Sequence, residues 1–343
     1  MEAASTEWQG KQVEAARALT QQGSQALRQN QIPAAEGALT EAAIILDMVE
    51  NFDVEATKIR AQIFNEVGFI RQRQNKLDEA QSLHERAVLM CDELIENGVE
   101  FRGNAAATCI NLAGILAQKG DFTRGQEVNQ RATDLAEALL AEGANMAQAA
   151  NLAFGANQNL AVIAGRAGDF ETANKAMNRA LEVVADLPDE GKKQISVQVA
   201  QGAQQLSVML FQQERHEDAL KWGKVAESQS EFAYEAGGES VLPVYVTSQI
   251  NLISFFEAVG QYAQAENALF KALEVVGEHP QILERGVAFY DEIRKLTDEK
   301  LEAGDLPRDE VDESFAEVSK RYEVAKAKAD AETQAAEAGK TAS

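Results

Sequence analysis

The sequence predicts an all-α protein, an α-solenoid of about six helix–turn–helix repeats. Three observations predict it. Ala, Gln, Glu and Leu dominate the 343 residues, only 5 residues are proline, and alternating valine-rich runs are nearly absent. That composition favours helices over a sheet. A small residue followed seven positions later by alanine recurs at Ala35/Ala42, Ala80/Ala87, Gly125/Ala132, Ala173/Ala180, Ala219/Ala226 and Ala265/Ala272, with first members 45, 45, 48, 46 and 46 residues apart. Turn-forming residues recur in phase with these pairs. One such hairpin cannot bury both its faces, so neighbours must stack.

Each unit reads in the same order. Twelve residues before the first anchor stand Gly23, Gly68, Ala113, Ala161 and Ser207, small sites that let helix backbones approach; the sixth unit departs with Ile253. A tight turn follows. Gly120-Asp121, Gly168-Asp169 and Gly260-Gln261 carry it, with Asn75-Lys76 as a weaker version. Glycine takes the left-handed conformation that ends one helix, and aspartate caps the next. Asn30 and Glu214 replace the glycine in units one and five. Three residues before the anchor, Ile32, Leu77, Phe122, Phe170, His216 and Tyr262 fill the hairpin. Between units the chain turns polar and glycine-containing, as in "ENGVEFRGN", "AEGAN", "LPDEGKK" and "EAGGES". These are inter-hairpin loops rather than domain linkers.

The expected organisation is one array over residues 1–280, with repeats at about 15–55, 56–100, 101–147, 148–193, 194–240 and 241–280. Residues 1–14 extend the first helix, with Trp8 covering apolar surface. Residues 281–332 form capping and polar helices, the first starting at Pro280 as a helix N-terminus does. Residues 333–343 are expected to be a disordered tail.

"NLAVIAGRAGDFETANKAMNRALEVV" (159–184) resembles a tetratricopeptide repeat, as do the stretches beginning at Asn111 and Asn251. Gly168, Phe170, Ala173 and Ala180 match the family's glycine, aromatic and two alanines, and the Asn-Leu start is similar to the longer repeats of the kinesin light chain type. The period exceeds the usual ~34 residues by about 11, or three helical turns, which fit at the far ends of both helices. HEAT and armadillo repeats share the longer period, but the order of turn, aromatic and alanine differs from theirs. The resemblance implies a right-handed superhelix whose inner face is lined by the first helix of each unit.

Function is bounded by charge and chemistry. The formal charge of −23 repels phosphate backbones and anionic lipid surfaces, so basic or neutral protein partners fit better than nucleic acid or membrane. The start MEAASTEWQG lacks the basic and apolar regions of a signal peptide, and no stretch approaches ~18 apolar residues, so a cytoplasmic location is expected. Cys91 and Cys109, with a turn midway between them, read as packed core thiols. His84 and His216 occupy packing positions, and His279 precedes Pro280. No HExxH, GxSxG or GxxxxGK[ST] pattern and no EF-hand spacing occurs, so no enzyme, cofactor or metal is expected.

Binding is the better expectation. Fourteen residues before the anchors stand Gln21, Glu66, Asn111, Asn159, Gln205 and Asn251, five amides in six. A carboxamide donates and accepts, so it can grip a peptide backbone without reading side chains. The resemblance implies the same use, since asparagines at this position hold extended peptides in related arrays. The same amides could instead bond to the neighbouring repeat. Phe69 and Phe211 are candidate apolar contacts on the concave face. Arg73 and Arg166 are too few for the family's carboxylate-clamp version. The leading expectation is a non-enzymatic adaptor or scaffold that binds a peptide or helix on Asn111, Asn159, Gln205, Asn251, Phe69 and Phe211. The alternatives are a regulatory peptide-sensing array and a self-assembling scaffold that oligomerises through its C-terminal helix.

Overall fold

The computed structural model describes residues 2–49, 53–143 and 146–341. Regular structure among them is helical, with no strand. The chain divides into two compact units, Met1–Leu187 and Pro188–Ser343. The division falls between Leu187 and Pro188, and of the expected "LPDEGKK" loop only these two residues lie outside a helix, because Pro188 stands at the N-cap position of a helix that starts at Asp189.

The first unit holds α1 (Glu2–Arg28), α2 (Ile32–Asp47), α3 (Val54–Arg73), α4 (Leu77–Glu96), α5 (Arg102–Gln118), α6 (Phe122–Glu142), α7 (Met146–Arg166) and α8 (Phe170–Ala185). Helices pair as α1/α2, α3/α4, α5/α6 and α7/α8, and the first helices of successive hairpins touch in the row α1–α3–α5–α7. The second unit holds α9 (Asp189–Gln212), α10 (His216–Gly237), a 3-10 turn (Gly238–Val241), α11 (Leu242–Ala258), α12 (Tyr262–Val276), α13 (Pro280–Ile293), α14 (Asp298–Ala303) and α15 (Arg308–Thr341). It repeats the plan in α9/α10 and α11/α12, and α9, α11 and α13 form its row of first helices. Each unit is thus an α-solenoid of stacked hairpins.

The turn chemistry explains why every second helix starts where it does. Ile32, Leu77, Phe122, Phe170, His216 and Tyr262 are the first helical residues of α2, α4, α6, α8, α10 and α12. Two residues earlier the backbone is left-handed every time, with φ of 58° at Asn30, 60° at Asn75, 85° at Gly120, 80° at Gly168, 59° at Glu214 and 74° at Gly260. In each turn the next N–H donates to the carbonyl five residues back, for example Asp169 to Ala164 at 2.9 Å and Arg215 to Leu210 at 3.0 Å. This is the Schellman closure, and it satisfies the last carbonyls of the first helix. The Asp121 and Asp169 side chains accept from the Arg124 and Thr172 N–H groups, as helix caps do.

Glu214 keeps the turn without glycine, against the steric preference of its Cβ. Glu214→Gly is expected to raise stability by about 1 kcal/mol, and Gly168→Ala to lower it by a similar amount. A Cβ at Gly168 meets nothing within 4 Å, so only the backbone term acts there. Urea midpoints that shift in the same direction for both variants would refute this account.

All twelve anchor residues are buried. The small site upstream of the turn receives the residue four past the anchor. A Cβ on Gly23 would lie 2.7 Å from Leu39 Cγ, and one on Gly68 would lie 2.8 Å from His84 Cε1. At Gly23 and Gly68 these side chains lie directly on the helix backbone, in the space that a Cβ would take.

The ends show two differences from expectation. Trp8 lies within α1 but leaves 46% of its surface exposed, so it covers apolar surface only in part. The tail expected to be disordered continues α15 as far as Thr341, and Ala342 and Ser343 lie outside the described residues. Its run of Ala, Glu, Gln and Lys has high intrinsic helix propensity, and one glycine does not interrupt it. Residues 144 and 145 of the "AEGAN" loop also lie outside the described residues. Helices α13 and α15 pair with each other, with the short α14 between them, and α13 packs on α11 and α12.

Candidate functional site

The first helices carry the candidate residues, and their amides meet different fates in the two units. In the first unit they knit repeats together. Asn111 Nδ2 on α5 donates to Asn65 Oδ1 on α3 at 3.0 Å. Asn159 Nδ2 on α7 donates to the Ile110 carbonyl at 3.2 Å and to Asn129 Oδ1 at 2.7 Å. Asn129, itself buried, donates to the Ala156 carbonyl at 2.7 Å. Glu66, at the equivalent place on α3, accepts from Ser24 at 2.5 Å and from Gln62 at 2.9 Å. Burial holds its carboxyl above the usual range. The chemistry is that of a polar ladder across successive first helices, with each step closed by its neighbour.

In the second unit the bridging amide is one residue earlier. Gln204 Nε2 donates to the Val244 carbonyl at 2.8 Å and to Ser248 Oγ at 2.5 Å. Gln205 is thereby left exposed, and Asn251 on α11 is half-buried. Phe211, at the end of α9, is half-buried, with its ring 5.1 Å from Phe255 and 5.0 Å from His216. It lines a cleft of about 490 Å³ together with Ser254, Glu257, Tyr262 and Arg285. Arg285, from α13, donates to Ser254 Oγ at 2.9 Å and is paired with Glu257. Phe69 in the first unit is half-buried, and the Arg73 guanidinium sits 5.8 Å from its ring centre. The structure thus brings Phe211 into a cleft, leaves Gln205 open, and turns Asn111 and Asn159 toward adjacent repeats.

Sequence reasoning missed Asn65, Asn129, Gln204 and Arg285. Asn129 carried a signal: four past its anchor the other repeats place Leu39, His84, Met177, Gly223 and Leu269, so an amide there needs a partner. Gln204 carried none, because adjacent glutamines on a helix look alike in sequence.

The remaining reactive groups are muted by burial. It pushes the thiols of Cys91 and Cys109 up, to about 12 and about 11, and both cysteines are free. Such thiols react poorly. His216 and Phe211 meet edge to face, and His279 stands at the N-cap position of α13 ahead of Pro280 without a side-chain capping bond. Among the described residues no group of three His, Cys, Asp or Glu side chains could hold a metal ion, and no helix is long and apolar enough to cross a membrane.

Comparisons with known proteins agree on the fold. The model of DUF6483, a family of unknown function, matches residues 169–323. No curated protein matches. The crystal structure of BtubC (BKLC) from P. vanneervenii is similar at 20% identity, with 72% of this chain and 90% of that chain covered and a TM-score of 0.54. Apo RapI is similar at 14% identity, covering 90% and 98%, with a TM-score of 0.51. The apo form of the quorum sensor NprR from B. thuringiensis is similar at 10% identity, covering 90% and 82%, also at 0.51. The chain has the fold of tetratricopeptide-like helical repeats.

Proposed function

We propose that this array is a non-enzymatic interaction protein that holds a peptide or helix against the first helices of its second unit. The observation that carries the reading is the contrast between the units. Asn111 and Asn159 already donate between repeats, whereas Gln205 is exposed and Phe211 opens into a cleft. An exposed carboxamide offers a donor and an acceptor to a peptide backbone, and the cleft beside Phe211 offers an apolar seat. Asn251 on α11 would extend the contact along the same row of helices. A peptide-sensing regulator would use the same surface, and a basic or neutral ligand suits the acidic chain as a whole.

The test is a selection of random peptides on the full chain. Selected peptides should lose at least about tenfold in affinity on Gln205→Ala/Asn251→Ala/Phe211→Ala, since backbone contacts and an apolar anchor together contribute about 1–3 kcal/mol. The circular dichroism melt of that variant monitors the fold. Basic or neutral peptides that bind a folded triple variant as tightly as the wild type would sink the reading.

A further inference from the structure

A second cleft, of about 840 Å³, lies in the same unit between the segment joining α12 to α13 and one face of α15. Val276 and Pro280 form one wall, and Val324 and Ala325 lie along the other. Val324 is 66% exposed. The cleft's ion pairing is uneven. Arg321 binds both oxygens of Glu278, at 2.9 to 3.2 Å, and Glu317 at 3.0 Å. That chelate ties the connecting segment to α15, and its single positive charge offsets one of the two carboxylates that line the cleft, so that with Lys320 and Lys328 the lining keeps a surplus of one positive charge. Lys320 and Lys328 are exposed on the same wall, and among the described residues neither has an ion-pair partner. They stand eight residues apart, about 12 Å along the helix, on either side of Val324. On a chain of net charge −23, this cleft therefore carries surplus positive charge around an uncovered apolar strip.

We propose that this cleft docks an acidic amphipathic segment of a protein partner, with an apolar side chain over Val324 and carboxylates on Lys320 and Lys328. Charge complementarity selects the occupant. The acidic surface of the rest of the chain repels such a segment, so Lys320 and Lys328 fix both its place and its register. The apolar strip supplies contact area, and the Arg321 chelate keeps the two walls at a fixed separation. The site is separate from the Phe211 cleft and takes a ligand of the opposite charge preference from the one expected for the chain as a whole.

The experiment uses the full chain and a labelled, amidated helical peptide with glutamates two turns apart and leucines between them. A version with lysine in place of glutamate is the control. Fluorescence anisotropy should show binding of the glutamate peptide and at least about tenfold weaker binding of the lysine peptide. Lys320→Glu/Lys328→Glu should weaken the glutamate peptide by a similar factor, Lys320→Gln/Lys328→Gln by less, and added salt should weaken it further. Phe211→Ala should leave it unchanged, which separates this site from the one proposed above. The lysines are exposed, so the melts of these variants should match the wild type. Equal binding of the two peptides, or binding that survives the charge reversal, overturns the proposal. So does concentration-dependent self-association in sedimentation that the reversal abolishes, because the occupant is then a second copy. Retention on phosphatidylserine vesicles with no peptide binding overturns it too.

Discussion

Trp222→Ala is expected to destabilise the second unit by about 3–5 kcal/mol, the range for truncating a large aromatic in a core. Trp222 is fully buried in α10, three residues past the anchor Ala219, in the helix that packs against both α9 and α11. The lost ring leaves a void that backbone helices in a stacked array close only in part. In a unit of this size each kcal/mol moves the melting point by about 2–4 °C, so a fall on the order of 10 °C should appear. Trp222→Phe keeps an aromatic body and should cost clearly less. Trp8 is the only other tryptophan and is half exposed, so a Trp8→Phe background isolates the emission of Trp222. Urea unfolding followed by that emission gives the reference value with Trp222 in place, and circular dichroism, calibrated on the same reference, gives the Trp222→Phe and Trp222→Ala values. A cost below about 1 kcal/mol for Trp222→Ala would mean that the site is not packed as described.

The second large effect depends on pH. His84 is fully buried at the face of Gly68. Its Nδ1 lies 3.1 Å from Asn65 Oδ1, which also accepts from Asn111, so the ring donates from Nδ1. Its Nε2 is buried with no partner. Burial holds the imidazole neutral, down to about 4 instead of 6.5. The folded value is depressed, so the stabilising contribution of the neutral ring is whole above pH 6.5. It is lost as pH falls from 6.5 toward 4, where only the unfolded chain takes up the proton. The loss across that window amounts to about 3 kcal/mol.

Glu66, one residue from Asn65, acts in the opposite sense: burial raises its carboxyl, so its penalty disappears on acidification. The difference between wild type and His84→Leu isolates the histidine. Leucine suits the place, because Leu39 meets Gly23 in the same way in the preceding hairpin. Stability measured from pH 7 to 4 should fall more steeply for the wild type than for His84→Leu. Parallel curves would sink the assignment.

The hairpin grammar was legible in the sequence, residue by residue. The first residues of α2, α4, α6, α8, α10 and α12 are those that the anchor spacing marks, and Asp121 and Asp169 cap as their type suggests. These features rest on contacts within a few residues of chain, where side-chain type and backbone conformation are tied. The left-handed turns at Asn30 and Glu214 show how far the pattern carries: the flanking helices and the Schellman bond hold the geometry even where glycine is missing. The division of the chain at Leu187 was not legible, because "LPDEGKK" has the same composition as the other connecting stretches although most of it is helical.

The destiny of the amides was also out of reach of the sequence. It placed Asn111, Asn159, Gln205 and Asn251 in phase on first helices, and a carboxamide has the same donor and acceptor wherever it points. Whether it serves a ligand or a neighbour depends on groups far along the chain. Asn111 meets Asn65 across 46 residues, and Asn159 meets Ile110 across 49. In the second unit Gln204 makes that bond and leaves Gln205 outside. The sequence by itself determined the repeats, their turns and the row of helices that carries the candidate residues, because those follow from local chemistry and periodic burial. Only the tertiary structure decided which amides are spent between repeats, and which wall of α15 keeps its lysines uncompensated. Both depend on the spacing between packed helices, which no single segment contains.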